Sequence, residues 1–240
     1  MAISISAFEV SSKCKPFDKT LIIGYLPSYR NDGIFIRMQT VALISQKGGT
    51  GKSTIATHLA VCAERDRKRV AIFDIDPQAS TYKWSQRRRA ETPAVIKATA
   101  VQLPALVQQA QAQHADLIFI DTAGRSDVAA HHALQVADFI LVPCRPSAAD
   151  LDALEDTIHL IQLSKDKRAA VILNAAPARG RMADDARAAI AERLTVAPVV
   201  LCQRSAYAAA WIDGRSVEEY EPDGKAAAEI RALYRWLIKR

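Results

Sequence analysis

Six short apolar runs punctuate the chain from residue 41 onward: VALIS (41–45), VAIFDI (70–75), LIFID (117–121), FILVP (139–143), AVILN (170–174) and PVVL (198–201). None alternates polar with apolar residues, which is the pattern of strands covered on both faces. The segments between them carry helical spacing. In STIATHLAVCAERDRK, Ile55, Leu59 and Cys62 recur on one side. Such alternation predicts right-handed βαβ units, hence a doubly wound, mainly parallel α/β sheet flanked by helices. A chain of 240 residues is long enough to close one such core. No internal repeat or low-complexity linker interrupts the pattern.

The first 37 residues do not share it. They show no clean period and carry Pro16, Gly24, Pro27 and Gly33. Met38 then opens a strand almost at once. The expectation is one domain over 38–240 with Met38 as its functional start, and residues 1–37 as a dispensable or mis-assigned extension; the alternative is an ordered arm packed on the sheet edge. Cys14, Cys62, Cys144 and Cys202 are scattered with no C-x-x-C pair, which points to a reducing cytoplasm. His58, His114, His131, His132 and His159 show no metal-ligand spacing. No apolar run reaches the length of a membrane span, and the N-terminus lacks a secretory pattern. The net charge of +6 hints at a polyanionic partner.

The stretch SQKGGTGKST, residues 45–54, lies between the first strand and an alanine-rich helix. That is the context of a phosphate-binding loop, yet the opening glycine of G-x-x-x-x-G-K-[ST] is replaced by Gln46. Glycines let backbone N–H groups turn toward an anion, and the helix N-terminus adds partial positive charge. Lys52 is expected to reach the β- and γ-phosphates of ATP, and Ser53 to offer its hydroxyl to Mg²⁺. Generic logic leaves Lys47 as a solvated charge at the loop mouth.

K-G-G-x-G-K-[ST] resembles the deviant Walker A motif of the ParA/MinD family of ATPases. The resemblance implies that Lys47 crosses a dimer to the phosphates held by the partner subunit. It makes Lys47, Gly48, Gly49, Thr50, Gly51, Lys52, Ser53 and Thr54 the expected ATP-binding set. VAIFDIDPQAS resembles the D-x-D-P-Q motif of ParA proteins. By that match Asp76 orients the attacking water and Asp74 supports metal and phosphate geometry. The two carboxylates are not expected to share one task. LIFIDTAG reads as a Walker B strand: Asp121 holds Mg²⁺ through water, and Thr122, Ala123 and Gly124 form a switch loop. The expected catalytic residues are Lys47, Lys52 and Asp76.

The resemblance continues to the C-terminus. LVPCRPSAADLDAL is similar to the family's P-x-x-P-S-x-x-D segment, leaving Asp150 as a dimer contact or a helix cap. Asn174 sits where related proteins meet the adenine edge. Residues 199–220 look like the closing segment of small, single-domain ParA proteins. The helix-turn-helix domain of longer partition ATPases has no counterpart. In the last helix, Arg231, Arg235 and Lys239 are spaced by four and share one face. They form either a DNA-tracking stripe or a solvated face; Arg87, Arg88 and Arg89 are a weaker candidate. The family implies an ATP-dependent homodimer that binds nonspecific DNA. It also implies slow hydrolysis stimulated by a centromere-binding, ParB-like adaptor, and a bacterial cytoplasm with nucleoid association when ATP is bound. No stable membrane insertion is expected. The alternatives are a MinD-like membrane positioner, a VirC-type conjugation accessory, or an ATP-dependent metabolic enzyme such as a dethiobiotin synthetase. A nitrogenase-like reductase fits less well, because no cysteine follows Asp121.

Overall fold

The computed structural model describes residues 38–124, 126–164 and 167–240; the expectation for residues 1–37 lies outside them. Seven parallel strands form one sheet in the order β3-β2-β4-β1-β5-β6-β7. The strands are β1 (Gln39–Leu43), β2 (Val70–Asp74), β3 (Ala94–Lys97), β4 (Leu117–Asp121), β5 (Phe139–Cys144), β6 (Arg168–Ala176) and β7 (Val196–Cys202). The helices are α1 (Lys52–Arg65), α2 (Ser80–Arg87), α3 (Leu103–Ala112), α4 (Asp127–Val136), α5 (Ala148–Leu163), α6 (Met182–Ala191), α7 (Ser205–Ile212), α8 (Val217–Tyr220) and α9 (Lys225–Leu237).

The unbroken apolar runs follow from burial on both sides. Along β1, Val41 and Leu43 enter a core with α1, α2, α7, α8 and α9, while Ala42 and Ile44 enter a second core with α3 to α6. β2 and β4 are buried at every position, including their terminal aspartates. Pro198 lies inside β7, an edge strand whose pairing with β6 slips in register; an edge needs fewer N–H donors.

The six expected strands are present, and β3 is an addition. It is four residues long, and only Val95 is fully buried, so its sequence carries little signal. The run at 41–45 is corrected at both ends. The strand begins at Gln39 and stops at Leu43, because Ser45 already turns to bond with the loop at Lys47.

β1 lies between β4 and β5, so the chain leaves it at the point where successive connections diverge to either side. Ligands of doubly wound sheets bind in the crevice at the carboxyl ends of such strands. Among the described residues no helix is long and apolar enough to cross a membrane.

Candidate nucleotide site

The loop after β1 is set by two glycines with positive φ, Gly49 at 74° and Gly51 at 101°. Side chains rarely adopt these angles, and Gly51 is also crowded. A Cβ there would stand 2.2 Å from Asn174 Nδ2. That amide donates to the Thr50 carbonyl at 2.7 Å, so Asn174, at the end of β6, braces the loop from the side. α1 begins at Lys52 and aims its first turn back at the loop.

Lys52 is nearly buried at 6% exposure, and its ammonium donates to the Ser45 and Lys47 carbonyls at 3.3 Å each. Burial lowers its pKa, against the opposing pull of Asp121 and Asp76. The two lysines of the loop are therefore unlike. Lys52 turns inward, whereas Lys47 stays 30% exposed and pairs with Asp150 at 3.2 Å. Asp150 sits in the first turn of α5, where its N–H is capped by Ser147 and its carboxylate accepts from the Ser147 hydroxyl. Ser147 is thus the cap of α5, and Asp150 holds the Ser147 hydroxyl and pairs with Lys47 within one chain.

Asp121 ends β4 and is fully buried. Thr81 Oγ1 donates to its Oδ2 at 2.6 Å, while Oδ1 has no hydrogen-bond partner. Burial, reinforced by Asp74, pushes its pKa up to about 7, with the Thr81 and Ser53 hydroxyls and the Lys52 ammonium pulling the other way. A buried oxygen without a donor, close to a serine hydroxyl, fits a hard cation that takes oxygen ligands. Ser53 and Asp121 are the residues that would hold Mg²⁺.

Asp74 lies on β2 opposite Asp121 in register. Its two oxygens are both engaged, Oδ1 with Asp76 N at 3.1 Å and Oδ2 with Tyr82 N at 2.8 Å. Burial raises its pKa. Asp74 therefore fixes the turn that carries Asp76. Asp76 is half-exposed, and its Oδ1 accepts from Gln78 N at 2.9 Å. Strand alternation would put residues two apart on one face, and it is the end of β2 at Asp74 that separates the two aspartates, because Asp76 lies in the turn.

The segment after β4 closes on the loop. Thr122 Oγ1 donates to Leu43 O at 2.7 Å. A Cβ on Gly124 would meet Gly48 Cα and N at 3.0 Å, so a side chain there would need the loop backbone to give by a few tenths of an ångström. In front, Gln46 donates through its backbone to Thr157 Oγ1 at 3.1 Å and through its side chain to Asp127. Gln46, Lys47, Asp127, Ala149, Ala153 and Asp156 lie along an open cleft of about 740 Å³.

Thr81 and Thr157 were not anticipated, since nothing local in their sequence marks a partner 40 or 111 residues away. The α9 stripe stands apart from this site. Its Arg231 is tied to Glu218 at 3.1 Å and to the Pro222 carbonyl at 2.8 Å, while Arg235 and Lys239 are exposed. In the other cluster, Arg88 is buried, bonded to Glu219 at 2.9 Å and stacked over Trp84 at 4.6 Å. It is a structural rivet rather than a free cation.

Known proteins share this fold. Residues 41–217 match the CobQ/CobB/MinD/ParA nucleotide binding domain. The chain is 32% identical over 202 residues to the maintenance of carboxysome distribution protein A of Halothiobacillus neapolitanus, covering 79% of this chain and 91% of that one. It is 27% identical over 184 residues to protein virC1 of Rhizobium radiobacter, covering 72% and 80%. The Mg-ADP complex of the septum site-determining protein MinD from Pyrococcus horikoshii superposes with a TM-score of 0.69, at 17% identity over 84% of this chain and 96% of that one. The chain belongs to the CobQ/CobB/MinD/ParA family of P-loop nucleotide-binding proteins.

Proposed function

We propose that the protein is an ATP-driven partition switch that rides on DNA and positions a cargo. The observation that carries this reading is the division between the two lysines. Lys52 is buried against its own loop, whereas Lys47 is held at the mouth by one partly exposed ion pair to Asp150. Lys47 is half-exposed, and the nearly buried Asp150 keeps the Ser147 hydroxyl as a donor when Lys47 leaves for a stronger charge. A triphosphate in the facing loop of a second copy is that charge, and the resulting bond is charge-assisted.

In this scheme the backbone N–H groups of Gly48 to Thr54 and the Lys52 ammonium bind the phosphates of ATP. Ser53 and Asp121 would hold Mg²⁺, which would supply charge neutralisation when bound. Asp76, set by Asp74, orients the hydrolytic water, and Gly124 couples the loop to the segment after β4. Hydrolysis is slow and is stimulated by a ParB-like adaptor, which resets the homodimer to monomers. The protein then acts in a bacterial cytoplasm, associated with the nucleoid while ATP is bound. The name of the Halothiobacillus relative supports a cargo-positioning role, and the basic pI of 9.2 supports a polyanionic track.

Membrane positioning fits less well. α9 is the amphipathic C-terminal helix, and its apolar face, Ile230, Leu233 and Leu237, is fully buried in the core. The test is binding to duplex DNA of arbitrary sequence with ADP and with ATP across a salt series. Binding with ATP alone that weakens steeply with salt is expected. Equal binding in both nucleotides, or none, contradicts the switch.

A further inference from the structure

We propose that Thr81, the second residue of α2, is a positioning residue for the metal site: its hydroxyl occupies one oxygen of Asp121 and so commits the other to a divalent cation. This inference rests on the nucleotide and Mg²⁺ part of the reading above and is independent of the DNA track. Its basis is one hydrogen bond and the turn that delivers it. Thr81 Oγ1 donates to Asp121 Oδ2 at 2.6 Å, and both side chains are fully buried. Asp121 Oδ1 is left without a hydrogen-bond partner.

A buried helical threonine ordinarily turns its hydroxyl back onto its own helix. Thr57 in α1 does so, donating to the Ser53 and Thr54 carbonyls at 3.0 and 2.9 Å. Thr81 instead reaches 40 residues along the chain, from α2 to the end of β4. Its bond is as short as those between a hydroxyl and an ionised carboxylate, which span about 2.5–2.7 Å. The proton sits on Thr81, and the carboxylate keeps its negative charge for a cation.

The turn before α2 is shaped to present this hydroxyl. Ala79 adopts φ 50° and ψ 46°, a left-handed conformation uncommon for any residue with a side chain. Its N–H donates to the Asp76 carbonyl at 2.8 Å, and its own carbonyl accepts from Lys83 N at 2.9 Å. Such local strain persists only where the surrounding structure holds it, and it clusters at functional sites. One residue beyond Thr81, Tyr82 N donates to Asp74 Oδ2 at 2.8 Å. The first turn of α2 thus holds Asp121 through a side chain and Asp74 through the backbone. Asp74 in turn accepts from Asp76 N at 3.1 Å. One rigid piece of chain therefore sets both the metal carboxylate and the turn that carries Asp76.

Without the hydroxyl, Asp121 loses the partner that fixes its rotamer. The Lys52 charge acts on Asp121 from the phosphate loop, and a freed carboxylate can turn toward it and away from the cation. Partners of this kind behind a metal ligand orient it, and their removal weakens metal binding or activity about 10–100-fold.

The experiment uses full-length wild type, Thr81→Val, Thr81→Ala and Thr81→Ser, with far-ultraviolet circular dichroism confirming the fold. Valine keeps the shape without the hydroxyl, alanine removes both, and serine restores the donor. Mn²⁺ is the probe, because it takes the same oxygen ligands as Mg²⁺ and is read by electron paramagnetic resonance. Two quantities are measured: the Mn²⁺ affinity of the ADP-loaded protein, and the affinity for a fluorescent ADP analogue in EDTA. Thr81→Val and Thr81→Ala are expected to bind Mn²⁺ about 10–100-fold more weakly, with the affinity in EDTA unchanged and Thr81→Ser close to wild type. Mn²⁺ affinity equal to wild type in either hydroxyl-free variant overturns the positioning role and leaves the nucleotide site standing. Equal losses of Mn²⁺ and of metal-free ADP, not rescued by serine, make Thr81 a packing residue and overturn the role as well. Wild type that binds the ADP analogue but gains no Mn²⁺ removes the metal site and this inference with it. Wild type that binds no ADP analogue removes the nucleotide reading itself.

Discussion

At the scale of single residues, the site depends on close backbone contacts. Gly124 lies so close to Gly48 that a methyl group would meet backbone atoms, Gly48 Cα and N at 3.0 Å and Lys47 C at 3.1 Å. Backbone cannot rotate out of the way as a flexible side chain does. Gly124→Ala must push the phosphate loop and the segment after Asp121 apart, and overpacking of this kind costs about 1–3 kcal/mol. We expect a fluorescent ATP analogue to bind this variant roughly ten- to a hundredfold more weakly, with its far-ultraviolet circular dichroism unchanged. Affinity equal to wild type would remove the loop-to-loop coupling from the account. The same scale explains why two aspartates separated by one residue differ. Asp74 spends both oxygens on the turn, while Asp76 keeps a half-exposed carboxylate beside Lys52.

Between elements, α1 is the spine of the domain, reaching from the nucleotide loop to α8 and α9. Midway along it, His58 is fully buried, its Nδ1 accepting from Val217 N at 3.2 Å and its ring 5.3 Å from that of Tyr207. Burial pushes its pKa down to about 3, against a smaller upward pull from Glu219. The folded protein therefore refuses a proton that the unfolded chain accepts near pH 6.5. Stability from this group is complete above about pH 6.5 and is lost as pH falls toward 3, by up to about 1.4 kcal/mol per unit. His58→Asn keeps an acceptor for Val217 N and removes the titration. Chemical unfolding from pH 7 to pH 4 should show a shallower acid loss in the variant, and parallel curves would exclude His58 as the cause. This contact was not legible in the sequence, where His58 is one histidine in a helical segment. The strands were legible because burial on both faces leaves unbroken apolar runs, as in LIFID. β3 was not, since a four-residue edge strand with one buried side chain writes no such run. The loop and the aspartates were legible because each motif is local. The Thr81 bond to Asp121, the tie of Lys47 to Asp150 and the capture of Arg231 by Glu218 were not. They join residues 40, 103 and 13 positions apart, which only the fold brings together.

For the whole molecule, the parts divide along the axis of the sheet. The carboxyl ends of the strands carry the phosphate loop, Asp76 and Asp121, and the opposite pole carries the ends of α1 and α9. In the proposed switch, dimerisation links the nucleotide at the loop to the DNA track. In the proposed switch that link rests on Lys47, the half-exposed lysine of the loop, which pairs with Asp150 in its own chain. A dimer with crossed lysines contains two such contacts, and a hydrogen bond to a charged group contributes about 1.5–3 kcal/mol. Their joint loss should weaken dimerisation on the order of a hundredfold or more. The most direct measurement is sedimentation velocity of wild type and Lys47→Ala, each with Mg-ADP and with Mg-ATP, alongside binding of a fluorescent ATP analogue. The account predicts an ATP-dependent dimer for wild type and monomers throughout for Lys47→Ala, which still binds the analogue. A Lys47→Ala protein that dimerises with ATP as wild type does would contradict it.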